Sequence, residues 1–416
     1  MNASPSGTVA GLRPLKQSSK LQNVLYEIRG PVAARAAQLE ASGHRIMKLN
    51  IGNPALFGFD APDTILRDML AALPQAQGYS ESRGILSARR AIVARYQDVA
   101  GFPPFDVDSV YLGNGVSELI MMVLSALLDT GDEVLIPAPD YPLWTAATSL
   151  AGGNPVHYLG QEDDDWNPGI DDIRSKITPR TKAIVVINPN NPTGAVYSRE
   201  VLEQIAALAR EHSLLILSDE IYDRVLYDDA EHISMAQVAP DMMVLTLNGL
   251  SKTYRVAGYR AGWLIITGPT GHAAGFLEGI ELLASTRLCP NVPAQHAIQA
   301  AVSGHQSIHD LTGPGGRLVE QRDVAVSLLQ SMPGVSCVVP KGALYVFPRL
   351  DPEVHEIHDD VQLCLDLLEQ EHLLVVHGSG FNWPAPDHLR IVTLPWAGDL
   401  RMGLERLGNF LAGYRQ

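Results

Sequence analysis

Short apolar runs and longer amphipathic stretches alternate through the middle of the chain. The apolar runs fall at 109–112, 133–136, 183–187, 214–217, 243–247 and 262–266, and Ala183-Ile184-Val185-Val186-Ile187 is typical of them. Several are continuous Val, Ile and Leu runs with no polar alternation, which predicts strands covered on both faces. Stretches of helical length, 118–128 and 199–212 among them, lie between many of these runs. Strand and helix in alternation predict an α/β fold with a mostly parallel sheet.

Outside this region the pattern differs. Residues 31–40 read as a helix and 46–51 as a short strand that runs into a Gly52-Asn53-Pro54 turn. After about residue 313 come a charged helix (317–331), two short strands (335–339 and 343–347), another helix (359–371) and a final strand and helix. That order predicts a smaller α+β domain. The expected boundaries are 1–60 for an N-terminal segment that joins the small domain, 61–313 for the large domain and 314–416 for the rest of the small one. The acidic run 163–165 reads as a solvated loop.

Composition narrows the function. The formal net charge of -15 opposes non-specific binding of nucleic acid. Cys289, Cys337 and Cys364 are the only cysteines and show no Cys-x-x-Cys spacing, so neither a disulfide framework nor a zinc site is expected. No His-Glu-x-x-His motif is present, and no metal is expected. The apolar run 119–128 is too short to cross a bilayer, and residues 1–20 lack the apolar core of a secretory signal. A cytoplasmic protein without a membrane partner is the expectation.

In sheets of this kind ligands sit beyond the carboxyl ends of the strands. Lys252 follows the run 243–247, and Arg260 lies eight residues further on. A lone lysine is ordinarily a solvated surface group. A buried one loses its proton and becomes a nucleophile towards an aldehyde, while an arginine offers a planar fork to a phosphate. Asp219 follows 214–217; it reads either as a helix cap or as the partner of a pyridine nitrogen. Tyr222 shares its face if the segment is helical. Asn191 lies in Asn188-Pro189-Asn190-Asn191-Pro192-Thr193-Gly194, which is a turn by composition and also presents an amide. Val116 and Ser117 open a helix after Gly113-Asn114-Gly115, a place where free N–H groups bind phosphate. Tyr141 is either a packed loop aromatic or a ring that stacks on a heterocycle.

Together these motifs resemble the fold-type I, class I aminotransferases, which depend on pyridoxal phosphate. The resemblance rests on Asn-Pro-x-Asn-Pro-Thr-Gly at 188–194, Asp-Glu-x-Tyr at 219–222, Ser251-Lys252 followed after seven residues by Arg260-x-Gly262-Trp263, and Arg390 in His388-Leu389-Arg390-Ile391-Val392. Ile28-Arg29-Gly30-Pro31, Leu49-Asn50-Ile51-Gly52-Asn53-Pro54, Pro139-Asp140-Tyr141-Pro142-Leu143-Trp144 and Asn291-Val292-Pro293-Ala294-Gln295-His296 look like bacterial glutamate–pyruvate (alanine) aminotransferases.

The resemblance implies transamination between an L-amino acid and a 2-oxo acid, with alanine and 2-oxoglutarate the first choice. It implies Lys252 as the Schiff-base lysine and Asp219 as partner of the pyridinium nitrogen. Asn191 and Tyr222 would hold the ring oxygen, and Tyr141 would stack on the ring. Val116, Ser117, Ser251 and Arg260 would hold the phosphate, joined by Tyr79 of a neighbouring subunit in a homodimer. Arg390 would clamp the substrate α-carboxylate with help from the Gly52 backbone and Asn191. The N-terminal segment would close over the site, with Tyr26 and Arg29 reaching the substrate side chain. Two positions depart from the pattern: Gly249 stands where many class I enzymes carry a phosphate-binding hydroxyl, and Leu56 where the closer relatives commonly have proline. The alternatives are an aspartate, aromatic or branched-chain aminotransferase, or a pyridoxal-phosphate β-lyase or decarboxylase. A cofactor-sensing transcription regulator needs an N-terminal DNA-binding domain and a basic face, and is opposed by the acidic charge with only about sixty residues before the large domain.

Overall fold

A computed structural model describes residues 15–21, 24 and 30–416. Its centre is an eight-stranded sheet. In chain order the strands are β1 (Val110–Gly113), β2 (Glu133–Ala138), β3 (Asn154–Gln161), β4 (Asn167–Pro168), β5 (Thr181–Ile187), β6 (Leu215–Asp219), β7 (Val244–Gly249) and β8 (Gly262–Thr267). Across the sheet they run β1-β8-β7-β6-β5-β2-β3-β4. Strands β7, β6, β5, β2 and β3 pair in parallel, whereas β8 is antiparallel to both of its neighbours and β4 to β3. The fold is α/β with a mostly parallel sheet, as the pattern predicts.

The continuous apolar runs have a plain cause. Ala183, Val185 and Ile187 pack on one face with Leu119, Val123 and Trp144, while Ile184 and Val186 pack on the other with Leu202 and Ile205. With helices on both faces, every position of β5 from Ala183 on is buried. Burying side chains of this size contributes about 1.5–3 kcal/mol each, so neither face tolerates a polar residue there.

A separate apolar cluster joins helix Pro31–Ala41, Leu49 and Phe59 to helices Arg317–Ser331, Asp360–Glu371 and Ala397–Gly413. The strand expected at 46–51 shrinks to Met47–Lys48. Its backbone continues to pair, because Leu49 N–H donates to Leu374 O at 2.8 Å and Leu49 O accepts from Val392 N–H at 3.0 Å. The strands expected at 335–339 and 343–347 reduce to Val335–Ser336 and Tyr345–Val346. Asp163 and Asp164 of the acidic run lie in a 3-10 turn, Glu162–Asp164, Asp165 follows it, and all three are exposed. Cys337 and Cys364 are buried thiols and Cys289 is half-buried, all of them free.

Candidate active site

Register brings the chemistry together. Ile187, Asp219 and Leu247 lie side by side on β5, β6 and β7. The segments that leave these strands therefore emerge at one edge of the sheet and wall a cavity of about 460 Å³. Gly52, Val116, Ser117, Tyr141, Asn191, Asp219, Tyr222, Ser251, Lys252, Arg260 and Arg390 all line it. Tyr79 does not, and is 84% exposed on the single chain. Tyr26 and Arg29 lie outside the described residues.

Asp219 is buried at the end of β6. Its Oδ2 accepts from the Trp144 indole N–H at 3.1 Å, and its Oδ1 from Ile221 N–H at 3.3 Å. Both donors are neutral. Burial pushes the carboxyl up to about 6 against the pull of those bonds. A carboxylate in this setting fits a cationic ring nitrogen, which would supply the missing countercharge.

After Asp219 the chain turns instead of becoming helical. Asp223 N–H donates to Glu220 O at 3.0 Å and Val225 N–H to Tyr222 O at 2.8 Å. Asp219 and Tyr222 still share the cavity because the residues between and after them are anchored behind it. Glu220 accepts from the Ser218 and Ser234 hydroxyls at 2.8 and 2.6 Å and meets His232 Nε2 at 3.1 Å. Asp223 pairs with the buried Arg95.

Lys252 stands three residues beyond β7, with Nζ donating to Gly52 O at 2.8 Å. Close packing governs the neighbouring turn. Gly115 has φ +81° ahead of helix Val116–Leu127, and a Cβ on it would lie 2.4 Å from Arg260 Nη2. Only glycine lets that guanidinium lie against the start of the helix. Arg260 donates to Ala257 O at 3.0 Å and to Asn114 O at 3.3 Å, which holds it beside the first-turn N–H groups. A helix start with an arginine over it has the chemistry to hold a phosphate.

Gly249 has a physical explanation. It pairs with Gly262 across β7 and β8, and a Cβ on Gly249 would lie 2.8 Å from Ala261 O and 2.9 Å from Gly262 Cα. A hydroxyl side chain at 249 does not fit without moving backbone.

At the other end of the cavity Arg390, on β9 (Leu389–Val392), lies buried with its guanidinium 4.5 Å from the ring centres of both Tyr345 and Phe381. It donates to Asn191 Oδ1 at 3.2 Å and to Asn50 O. The Tyr345 hydroxyl meets the Tyr222 hydroxyl at 2.8 Å. Trp144, Tyr345, Asn50 and Phe381 went unremarked as site residues in the sequence. Trp144 carried a weak signal, three positions after Tyr141; Tyr345 was visible only as part of a strand.

Among the described residues, no helix is long and apolar enough to cross a membrane, and no cluster of three or more His, Cys, Asp or Glu side chains is placed to hold a metal ion.

A fold-type I sheet that collects a lysine, a buried aspartate, a helix start under one arginine and a second arginine around one cavity defines a class, and comparison with known proteins agrees. The chain belongs to the class I and II aminotransferases, whose family model matches residues 44–407. It is 72% identical over 404 residues to an alanine aminotransferase of Mycobacterium tuberculosis, covering 97% of this chain and 94% of that one. It is 59% identical over 405 residues to the glutamate-pyruvate aminotransferase AlaA of Escherichia coli, covering 97% and 100%. The crystal structure of an aminotransferase from Escherichia coli superposes with a TM-score of 0.96 at 59% identity, over 97% of this chain and all of that one. The chain is an aminotransferase that acts on amino acids and 2-oxo acids.

Proposed function

We propose that this enzyme transfers the amino group of L-alanine to 2-oxoglutarate, giving pyruvate and L-glutamate, with pyridoxal phosphate held in the cavity. The observation that carries the reading is the meeting of Lys252, Asp219 and Arg390 around one cavity. The choice of alanine is supported by the names of relatives at 72% and 59% identity.

Pyridoxal phosphate, when bound, supplies an aldehyde for the amino group and a cationic ring that takes up the electron pair left when the Cα proton departs. Lys252 would be the amine that holds the cofactor at its aldehyde and the base that takes up and returns the substrate's Cα proton. Asp219 holds the ring nitrogen in its protonated form. Asn191 and Tyr222 bind the ring oxygen, and Tyr141 covers the ring face. Val116, Ser117, Ser251 and Arg260 hold the phosphate. Arg390 takes the substrate carboxylate in bidentate fashion, with the Gly52 backbone and Asn191 completing that end. The reading includes a homodimer in which Tyr79 reaches the neighbouring subunit's phosphate, a cytoplasmic setting, and a division into 61–313 against 1–60 with 314–416.

The test mixes the purified holoenzyme with single amino acids and follows loss of its visible absorption band. Alanine and glutamate should react fastest. Preference for aspartate, aromatic or branched-chain amino acids would replace the substrate assignment, and release of ammonia with pyruvate would make the enzyme a lyase. Tyr26 and Arg29 remain proposed contacts for the substrate side chain. A charge-assisted pair to the distal carboxylate contributes about 1.5–3 kcal/mol. Arg29→Ala should therefore weaken glutamate and 2-oxoglutarate by at least about tenfold, and alanine and pyruvate much less. Equal losses would remove Arg29 from side-chain recognition.

A further inference from the structure

Tyr345 is a buried phenol that the proposed reaction leaves without a task. Its ring lies under the Arg390 guanidinium, 4.5 Å from centre to charge. Its hydroxyl meets the Tyr222 hydroxyl at 2.8 Å, with the two rings at 81°. The same hydroxyl abuts Gly52, where a Cβ would come within 2.1 Å of it, and Lys252 donates to the Gly52 carbonyl at 2.8 Å. Tyr345 thus stands close to Lys252 and Arg390, two of the site's three cations, and against the tyrosine assigned to the cofactor's ring oxygen.

We infer that Tyr345 is a positioning residue for transamination: its hydroxyl donates to the Tyr222 oxygen and leaves the Tyr222 proton directed to the cavity. The inference rests on the reading of the cavity given above. Packing beneath Arg390 needs only the ring, and a buried hydroxyl costs free energy unless it is bonded. The direction of the bond follows from the surrounding charge. Burial raises both phenols. At Tyr345 the nearby Lys252 and Arg390, the latter over its ring, act against burial, and it lies below the ordinary value. At Tyr222 burial dominates, and it stays well above the ordinary value, although Arg390 pulls it down and Tyr141 pushes it up. The more acidic hydroxyl is the better donor, so Tyr345 gives its proton to the bond and Tyr222 accepts. An accepting hydroxyl becomes a stronger donor through hydrogen-bond cooperativity. The charged groups acting on Asp219 are Glu220 and Lys252.

The experiment reads the pH midpoint of the holoenzyme's visible absorption band, with the melting temperature measured alongside. A donor withdrawn from the ring oxygen lets that oxygen hold the proton it shares with the Lys252 nitrogen more tightly, and the midpoint rises. Tyr345→Phe keeps the ring under Arg390 and should raise the midpoint by about half a pH unit, the scale of one weakened neutral hydrogen bond. Tyr222→Phe should raise it further, and the double variant should match Tyr222→Phe alone. Replacing Tyr345 by 3-fluorotyrosine, a stronger donor of the same shape, should move the midpoint down. An unchanged midpoint in Tyr345→Phe or with fluorotyrosine, or additive shifts in the double variant, would overturn the inference whatever the melting temperatures. A wild-type enzyme with no such band after loading with pyridoxal phosphate would instead defeat the cofactor reading itself.

Discussion

Asp219 illustrates what a single residue is asked to do. It is a buried carboxyl whose hydrogen-bond donors, Trp144 and the Ile221 amide, bring no charge. A cationic ring nitrogen would turn that liability into a strong pair. Asp219→Asn keeps the shape and removes the charge. Proton abstraction should slow by roughly 10²–10³-fold, as when one preorganised electrostatic partner is lost. Single-turnover conversion of the holoenzyme with alanine measures it, and near-native rates would end the assignment. Asp219, Asn191 and Lys252 were legible in the sequence because each follows an apolar strand closely. Trp144 and Tyr345 were not. Their partners, Asp219 and Tyr222, lie 75 and 123 positions away, and local pattern carries no trace of such contacts.

Among the elements, the paired strands β7 and β8 decide how near the backbone comes to the start of helix Val116–Leu127. Gly249 faces Gly262, and a Cβ on Gly262 would in turn meet Val116 N at 2.8 Å. These glycines draw the strand pair against the start of helix Val116–Leu127. Restoring a hydroxyl by Gly249→Ser should therefore not improve cofactor affinity. Overpacking of this kind costs about 1–3 kcal/mol, and a thermal melt should show the loss. A stabilised variant with tighter cofactor binding would refute the packing account. Strands buried on both faces were legible to within two residues. Strand β3 was missed because, apart from Tyr158, its residues are exposed or half-buried and begin Asn154-Pro155, so no continuous apolar run marks it. Asp219 and Tyr222 share the cavity without the helix that would put them on one face, because Glu220 and Asp223 are anchored from behind.

For the whole molecule, the two ends of the chain meet at the site. Gly52 reaches it from the N-terminal side and Arg390 from the C-terminal side, and both touch residues of the sheet region through Lys252 and Asn191. Arg317 helps to hold the N-terminal side in place: its guanidinium lies between the Phe59 and Trp396 rings at 3.9 and 3.5 Å and donates to Phe57 O at 2.6 Å. A sequence pattern predicts that such parts exist but not which of them touch. The proposed homodimer adds one more contact. Tyr79, exposed on the single chain, should bind the phosphate across the interface. Tyr79→Phe should leave the dimer mass unchanged in sedimentation while weakening pyridoxal phosphate by about tenfold, the value of one charge-assisted hydrogen bond. A monomeric enzyme, or unaltered cofactor affinity, would contradict that contact.

The central claim is that Lys252 holds the cofactor and moves the proton. Borohydride reduction of the loaded enzyme, followed by peptide mass mapping, tests it most directly. The account predicts pyridoxyl label on Lys252, no such label there in Lys252→Ala, and loss of turnover in that variant with its fold retained. Label on a different lysine, or turnover that survives Lys252→Ala, would contradict it.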